Sequence, residues 1–227
     1  GRKFLDWVTQ TLKVKVGVGD DVSRVAAVRE LAGPDIPIGI DANQGWDIAT
    51  ARRRLAELEP LDILFCEQPI PRHDPAALAD LRRTTNIPIM ADESVFTAAD
   101  AIQIVNHHAA DILSIYPGKH GGIGPTLEIA AIAKAAGLSV TMGSNLELGI
   151  ATAAMLHVGI ACDAFTAEKF PGDYVGPWYH EADLLKTSLD LGPPAAKPPD
   201  GPGLGIELDE EQLEKYRDTT LKADALG

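Results

Sequence analysis

The chain has 227 residues, which is enough for one large domain or two small ones. Hydrophobic residues make up 45% of it and charged residues 23%, the balance of an ordinary globular protein. A formal charge of −13 argues against binding to nucleic acid or to an anionic membrane, since both require a positive surface. Its apolar runs are too short to span a membrane and no signal peptide is recognisable, so we expect a cytoplasmic protein.

One pattern repeats along the chain: a short β-branched run followed by an alanine- and leucine-rich segment of helical period. The first eleven residues are predicted to be helical. Seven strands are then predicted, at residues 12–17, 36–43, 62–69, 87–94, 111–118, 138–145 and 162–170. Six helices are predicted between them, at residues 21–33, 47–59, 74–85, 97–109, 124–137 and 148–161, with Asp47, Asp74 and Thr97 among the caps. Alternation of this kind indicates parallel strands joined by helical crossovers.

The even spacing of the strands, without a Gly-x-Gly-x-x-Gly motif, favours a TIM-type (β/α) barrel over a doubly wound open sheet. We place the barrel at residues 1–171. A second segment, 172–227, contains a stretch rich in proline and glycine and a polar terminal helix that starts near Asp209. A closed barrel needs eight strands, so we expect the chain to begin inside a longer protein.

Polar side chains end successive predicted strands at intervals of 24 to 26 residues, or one βα unit: Lys13 and Lys15, then Asp41, Glu67, Asp92 and Tyr116. Functional residues of such barrels lie at the carboxyl ends of the strands, so we expect these side chains to form one ring. Three converging carboxylates repel each other unless they share a cation, and Mg²⁺ is the usual partner of such a set. A single Asp at a strand end is often only a helix cap or turn residue, but capping does not explain several in phase.

These residues resemble the enolase superfamily, in particular the mandelate racemase and muconate lactonising enzyme family. The matching stretches are "KVKVG", "DANQGW", "CEQP", "ADES", "KHGGIG" and "GPGLGIELDEE", and the resemblance covers residues 1–216. It implies an enolase-like C-terminal barrel with one Mg²⁺ ion held by Asp41, Glu67 and Asp92, and Lys15 as the general base beside Lys13. It also implies a homo-oligomer that acts on a small-molecule carboxylate. The N-terminal capping domain of the family and its first barrel strand are not found in this sequence.

The stretch "DILSIYPGKHGG", residues 111–122, departs from the family pattern. Muconate-type members are expected to carry K-x-x-K-x-G-G there, and Tyr116 occupies the position of the first lysine, the acid/base on the opposite face of the substrate. Racemase-type members are expected to carry a histidine after the seventh strand, where this chain has "GSNLELG". The substrate-side candidates are Asn43, Asn145 and Glu147.

The expected reaction is therefore Mg²⁺-dependent abstraction of the α-proton of a carboxylate, followed by elimination or cycloisomerisation, as in an acid-sugar dehydratase or a muconate-type cycloisomerase. Lys15 is the expected base. Tyr116 either donates a hydrogen bond or proton, or merely fills the barrel mouth. One alternative is a racemase or epimerase in which Lys119 supplies the second base. Two others are a non-catalytic barrel homologue and a phosphate-binding barrel that uses "HGGIG", although the latter leaves the carboxylates unexplained.

Overall fold

The computed structural model describes residues 11–192 and 195–217. Its strands are β1 (Leu12–Lys15), β2 (Ile38–Asp41), β3 (Ile63–Glu67), β4 (Ile89–Ala91), β5 (Ile112–Ile115) and β6 (Ser139–Met142). They form one parallel sheet in chain order, which is a half-barrel. The helices are α1 (Asp21–Ala32), α2 (Ile48–Leu58), α3 (Pro75–Arg82), α4 (Ala98–His107), α5 (Pro117–His120), α6 (Ile123–Ala135), α7 (Gly149–Ala161) and α8 (Glu210–Tyr216), with 3₁₀ turns at Glu59–Leu61 and Gly176–Tyr179. The predicted (β/α)-barrel class is confirmed.

The predicted helix caps are confirmed. The side chains of Asp47, Asp74 and Thr97 each accept a hydrogen bond from the backbone N–H three residues later. Thr97 also forms a reciprocal capping box with Asp100. Each cap satisfies a donor that the helix itself leaves unpaired, so the helices start where the sequence places them.

The two ends of the chain are described only in part. The helix predicted for residues 1–11 falls almost wholly outside the described residues. The terminal helix starts after its cap, Asp209, as predicted, and ends at Tyr216, because the backbone of Arg217 is extended. The remainder of that prediction, from residue 218 onward, also lies outside the described residues.

The predicted seventh strand, residues 162–170, is wrong as a strand. Phe165 makes a single parallel bridge to Val140. The backbone N–H of Thr166 donates to the carbonyl of Val140, and the N–H groups of Lys169 and Phe170 then donate back to the carbonyl of Thr166. Because these bonds close a turn, the chain leaves the sheet after one contact.

The sheet is buried on both faces, as expected for parallel strands covered by helices. The outer face packs against the helices through residues such as Ile40, Cys66 and Leu113. The inner face holds a smaller cluster made of Phe65, Met90, Ile112 and Phe170. The barrel interior is therefore filled below its mouth, which leaves the carboxyl ends of the strands as the place for a site.

The segment after the barrel packs against α7. The backbone N–H of Gly149 donates to Asp183 Oδ1 at 2.9 Å, and a ring nitrogen of His157 lies 3.1 Å from the carbonyl of Leu204. Leu185 and Leu208 form an antiparallel bridge within the segment. Among the described residues, no helix is both long enough and apolar enough to cross a membrane.

Candidate active site

The carboxyl ends of the first three strands lie level with one another. Lys15 pairs with Asp41 and Asp41 pairs with Glu67 in the register of the sheet. Asp92 directly follows β4 and Tyr116 directly follows β5. The sequence intervals therefore place these side chains along one rim of the half-barrel.

Each of the three carboxylates of the rim is bound to a different lysine. The pairs are Lys15–Asp41 at 2.5 Å, Lys13–Glu67 at 3.2 Å and Lys119–Asp92 at 2.5 Å between ammonium nitrogen and carboxylate oxygen. The Asp41 and Glu67 side chains are almost fully buried, at 2% and 5% exposure. Buried carboxylates need such counter-charges, since an unpaired charge in this position is costly.

Glu67 and Lys13 form the most strongly perturbed pair. Burial raises the pKa of Glu67 to about 7; the charge of Lys13 acts against this, and repulsion from Asp41 and Asp92 adds to it. Burial acts to lower the pKa of Lys13, but the carboxylates around it, first of all Glu67, outweigh burial and raise it. Lys13 is therefore held as a cation among acidic groups and is a poor base.

Asp173 is a neighbour of this site that the sequence did not indicate. Its Oδ2 lies 3.9 Å from the ammonium of Lys13, and its backbone N–H donates to the carbonyl of Met142 at the end of β6. It comes after the predicted barrel boundary, within a segment rich in proline and glycine. No motif or spacing marks it, because the contact depends on how that segment folds back.

Lys15 is the most accessible of the three lysines, with 65% of its side chain exposed. Besides Asp41, its ammonium binds Asn43 Oδ1 at 2.7 Å. Asn43 in turn donates its backbone N–H to Asp41 Oδ1 and its side-chain amide to Glu93 Oε1. The candidate base is thus oriented by an amide and a carboxylate while it remains reachable from the mouth, and Asn43 lies beside it as expected.

Tyr116 lies under the mouth and is only 3% exposed. Its ring packs against Met142, Met155 and Val158. Burial, together with the charges of Asp92 and other nearby carboxylates, raises the pKa of the phenol above its usual value. The hydroxyl therefore stays protonated and can donate, but it cannot serve as a base near neutral pH.

Lys119 faces the interior from the short helix α5. Its side chain is 3% exposed, and its ammonium donates to Asp92 Oδ1, to the carbonyl of Asp92 and to the carbonyl of Ser114. Burial lowers the pKa of this lysine, against the pull of Asp92. The side chain is therefore buried and directed at Asp92.

Glu147 and Asn145 lie in the loop after β6. Glu147 Oε2 accepts hydrogen bonds from the hydroxyl of Ser144 and from the backbone N–H of Asn145, at 2.9 and 3.0 Å. Its other oxygen, Oε1, is buried and has no hydrogen-bond partner among the described residues. It sits close to Gly118, where a Cβ would come within 2.9 Å of it. Glu147 thus keeps a free acceptor beside Tyr116, while the Asn145 side chain is exposed.

A cavity of about 370 Å³ opens beside the rim between the loops that follow β3 and β4. It is lined by Arg72, His73, Glu93, Ser94, Phe96 and Asp100. The guanidinium of Arg72 lies 5.0 Å from the centre of the Phe96 ring. Glu93 and Ser94 belong to the quoted stretch "ADES", whereas the other four residues lie outside the quoted motifs; together they give the mouth a wall with both charged and aromatic groups.

The donor set fits a hard divalent cation in type, since three carboxylates lie at the ends of consecutive strands. Among the described residues, no group of three His, Cys, Asp or Glu side chains is close enough to hold an ion as it stands. The lysine ammonium groups now neutralise charges that a metal ion would neutralise. Binding of Mg²⁺ would therefore have to replace Lys15 and Lys13 as partners of Asp41 and Glu67.

Comparison with known proteins gives one consistent result. A family model described as "Enolase C-terminal domain-like" matches residues 3–212. A chloromuconate cycloisomerase of Pseudomonas putida is 33% identical over 90% of this chain, and an N-succinyl-L-Arg/Lys racemase of Bacillus cereus is 36% identical over 91% of it. The structure of a muconate lactonizing enzyme from Pseudomonas fluorescens complexed with muconolactone has a TM-score of 0.86 and 32% identity, over 96% of this chain and 59% of that one.

The chain spans a little over half the length of these relatives, 55% for both the cycloisomerase and the racemase. The match therefore concerns the barrel and the segment after it.

Proposed function

Because this chain belongs to the enolase C-terminal domain-like family, the group of mandelate racemase and muconate lactonising enzyme, we propose that it removes the α-proton of a carboxylate substrate and then completes an elimination or a cycloisomerisation. Mg²⁺, held by Asp41, Glu67 and Asp92, would stabilise the charge on the substrate carboxylate as that proton leaves. The enolase superfamily is known for this chemistry, with a Lys or His base and Mg²⁺ on the ene-diolate.

One observation carries the choice of reaction: of the three lysines that pair with the carboxylates of the rim, Lys15 is the exposed one. Lys15 is exposed at the rim, whereas the position expected for a base on the opposite face holds Tyr116, a buried phenol that stays protonated. Racemisation needs an acid or base on both faces of the carbon, but elimination and cycloisomerisation proceed with one base and one proton donor. Lys15 takes the proton, and Tyr116 donates a hydrogen bond or proton to the intermediate or leaving group.

The other residues of the rim balance its charge, orient the base or offer a hydrogen-bond acceptor. Lys13 remains protonated between Glu67 and Asp173 and offsets the negative charge of the rim. Asn43 orients Lys15, and Glu147 keeps a free buried oxygen toward Tyr116. A hydroxy acid or sugar acid is the substrate class that suits a wall of charged and hydrogen-bonding side chains.

A racemase or epimerase is the second candidate, favoured by the 36% identity with the Bacillus cereus racemase. It would require a second base, and Lys119 is the lysine near the opposite face. The reaction's stereochemistry separates the two: a racemase exchanges the α-proton of both enantiomers, and a one-base enzyme exchanges that of one.

The proposal is tested by deuterium exchange. The protein is incubated with Mg²⁺ in D₂O and a panel of hydroxy acids, sugar acids, muconolactone and N-succinyl-arginine, and the α-proton is followed by ¹H NMR. We expect exchange or turnover of at least one compound, lost in Lys15→Ala and kept in Lys134→Ala, an exposed lysine paired with Asp163. Exchange that survives in Lys15→Ala would contradict the role of Lys15.

A second variant tests Tyr116. Tyr116→Phe keeps the packing against Met142 and Met155 but removes the hydroxyl. We expect kcat to fall about 10²-fold or more, since a positioned acid contributes about that much, while Mg²⁺ affinity stays unchanged. Unchanged turnover would show that the ring only fills the mouth.

A further inference from the structure

Asp92 is held in place by two buried side chains from the neighbouring strands. Gln68, directly after β3, accepts a hydrogen bond from the backbone N–H of Asp92 at 3.1 Å. Lys119, after β5, donates to the carbonyl of Asp92 at 2.9 Å and to its Oδ1. The backbone donor, the backbone acceptor and one carboxylate oxygen of Asp92 are therefore all fixed from outside its own strand.

Gln68 has no freedom to move. It is 0% exposed, and its Oε1 also accepts from the N–H of Ser94 at 3.0 Å. Its amide nitrogen donates to the carbonyl of Ile70 and to the hydroxyl of Ser94, both at 2.8 Å. All four hydrogen-bonding positions of the amide are used, so its orientation is determined without ambiguity.

The ammonium of Lys119 is also fully hydrogen-bonded. A lysine ammonium has three protons, and here they go to Asp92 Oδ1, the Asp92 carbonyl and the Ser114 carbonyl. The ammonium also lies 5.0 Å from the centre of the Tyr116 ring. To reach a substrate, Lys119 would have to break all three of these hydrogen bonds, including the ion pair with Asp92.

These contacts leave the other carboxylate oxygen available. Among the described residues, Asp92 Oδ2 accepts no hydrogen bond, whereas Oδ1 is taken by Lys119. One oxygen of the carboxylate is thus anchored and the other is free for a ligand. This is the arrangement by which outer partners orient metal-binding carboxylates in general.

We propose that Gln68 and Lys119 are positioning residues that orient the Asp92 carboxylate for the metal ion, and that Lys119 is not an acid or base toward the substrate. The inference rests on the proposed function, because it takes Asp92 as a ligand of Mg²⁺. It deepens that function in one respect: with Lys119 committed to Asp92, Lys15 is left as the nitrogen base of the reaction.

The test is the Mg²⁺ affinity of two variants, measured by titration calorimetry on the protein without substrate. Gln68→Met removes the amide without a change of charge, and we expect an affinity about tenfold weaker or worse. Gln44→Met is the matched control: it removes an amide of the neighbouring loop that binds the N–H of Arg72, and should keep the wild-type affinity.

The direction in which Lys119→Met changes the Mg²⁺ affinity distinguishes a positioning role from an acid or base role toward the substrate. A positioning role predicts weaker Mg²⁺ binding even though a positive charge has been removed. A role confined to the substrate predicts unchanged or tighter binding, because a cation near the ion is gone, and this result would overturn the inference. Rescue of the affinity in Lys119→Arg relative to Lys119→Met would support positioning.

Mg²⁺ binding by the wild type and by the variants distinguishes a failure of the proposed function from a failure of this inference. If the wild-type protein binds no Mg²⁺, the proposed function fails; if it binds and both variants bind equally well, the inference alone fails. Should Lys119→Met not fold, the wild-type exchange experiment decides, since exchange at both enantiomers would require a second base and would overturn the assignment of Lys119.

Discussion

Asp21 joins the loops that follow β1 and β2. Its Oδ2 accepts from the indole N–H of Trp46 at 3.0 Å, and its Oδ1 accepts from the N–H of Gly17 and from Arg24, at 3.1 and 2.9 Å. Arg24 also donates to the carbonyl of Lys15. At the scale of single residues, this buried carboxylate supports the backbone that carries the candidate base.

Asp21→Asn should lower the free energy of unfolding by about 2 kcal/mol, because the amide turns an NH₂ group toward a buried donor. Asp20→Asn is the matched control: it lies next in the chain, is exposed, and remains an adequate helix cap, so a loss of a few tenths of a kcal/mol is expected. Urea denaturation measures both. Equal losses would show that the buried network does not stabilise the loops.

The buried imidazole of His120 makes the free energy of unfolding depend on pH. Burial lowers its pKa to about 4, and its Nδ1 is hydrogen-bonded to the carbonyl of Phe96 at 2.8 Å. In the unfolded chain the pKa is about 6.5, so the unfolded state binds the proton first as pH falls. Its contribution is complete above pH 6.5 and decreases as pH falls toward 4.

We therefore expect His120 to account for a loss of about 2 kcal/mol in unfolding free energy between pH 7 and pH 5. His120→Asn keeps a donor toward Phe96 but does not titrate, and should lose less stability over the same range. Denaturation curves at several pH values give the slopes. A variant with the same slope as the wild type would exclude His120 as the source.

At the scale of secondary-structure elements, β2 tolerates no side chain at Gly39. A Cβ there would overlap three atoms of the Phe65 ring, which fills the inside of the barrel. Gly39→Ala should destabilise the protein by about 1–3 kcal/mol through overpacking. Gly124→Ala in α6 meets nothing within 4 Å and should be neutral or slightly stabilising, since alanine favours helix.

Thermal unfolding of both alanine variants gives the comparison. Phe65→Leu added to Gly39→Ala should recover part of the loss, because it removes the overlapping ring. Equal effects at Gly39 and Gly124 would contradict the packing explanation.

The strands also show which features of the fold and the site could be predicted from the sequence. The spacing of Lys15, Asp41 and Glu67 predicted their common level, because parallel strands repeat at regular intervals and side chains alternate along them. The turn at residues 162–170 was not predictable, since the composition of this segment resembles that of the strands, whereas its backbone N–H groups bond mostly within the segment. Nor does spacing say whether Lys119 faces Asp92 or the mouth.

At the scale of the whole molecule, the rim lies at the ends of the six parallel strands found in the described part of the chain, and the segment after the barrel adds Asp173 to it. The carboxylates of the rim are neutralised pairwise by lysines in this structure, and in the proposed function Mg²⁺ would take over part of that neutralisation. The boundary predicted at residue 171 stays a prediction, as does assembly into a homo-oligomer. The chain spans 55% of the length of the cycloisomerase and of the racemase to which it is similar.

The most direct measurement is a titration of Mg²⁺ into the wild-type protein, Glu67→Gln and Glu128→Gln, followed by heat of binding and by melting temperature. Glu67 lies in the rim, whereas Glu128 is an exposed glutamate of α6 and controls for the loss of one charge. We expect one ion per chain in the wild type and in Glu128→Gln, and binding abolished in Glu67→Gln. No binding in the wild type, or equal binding in all three proteins, would contradict a magnesium site at the ends of these strands.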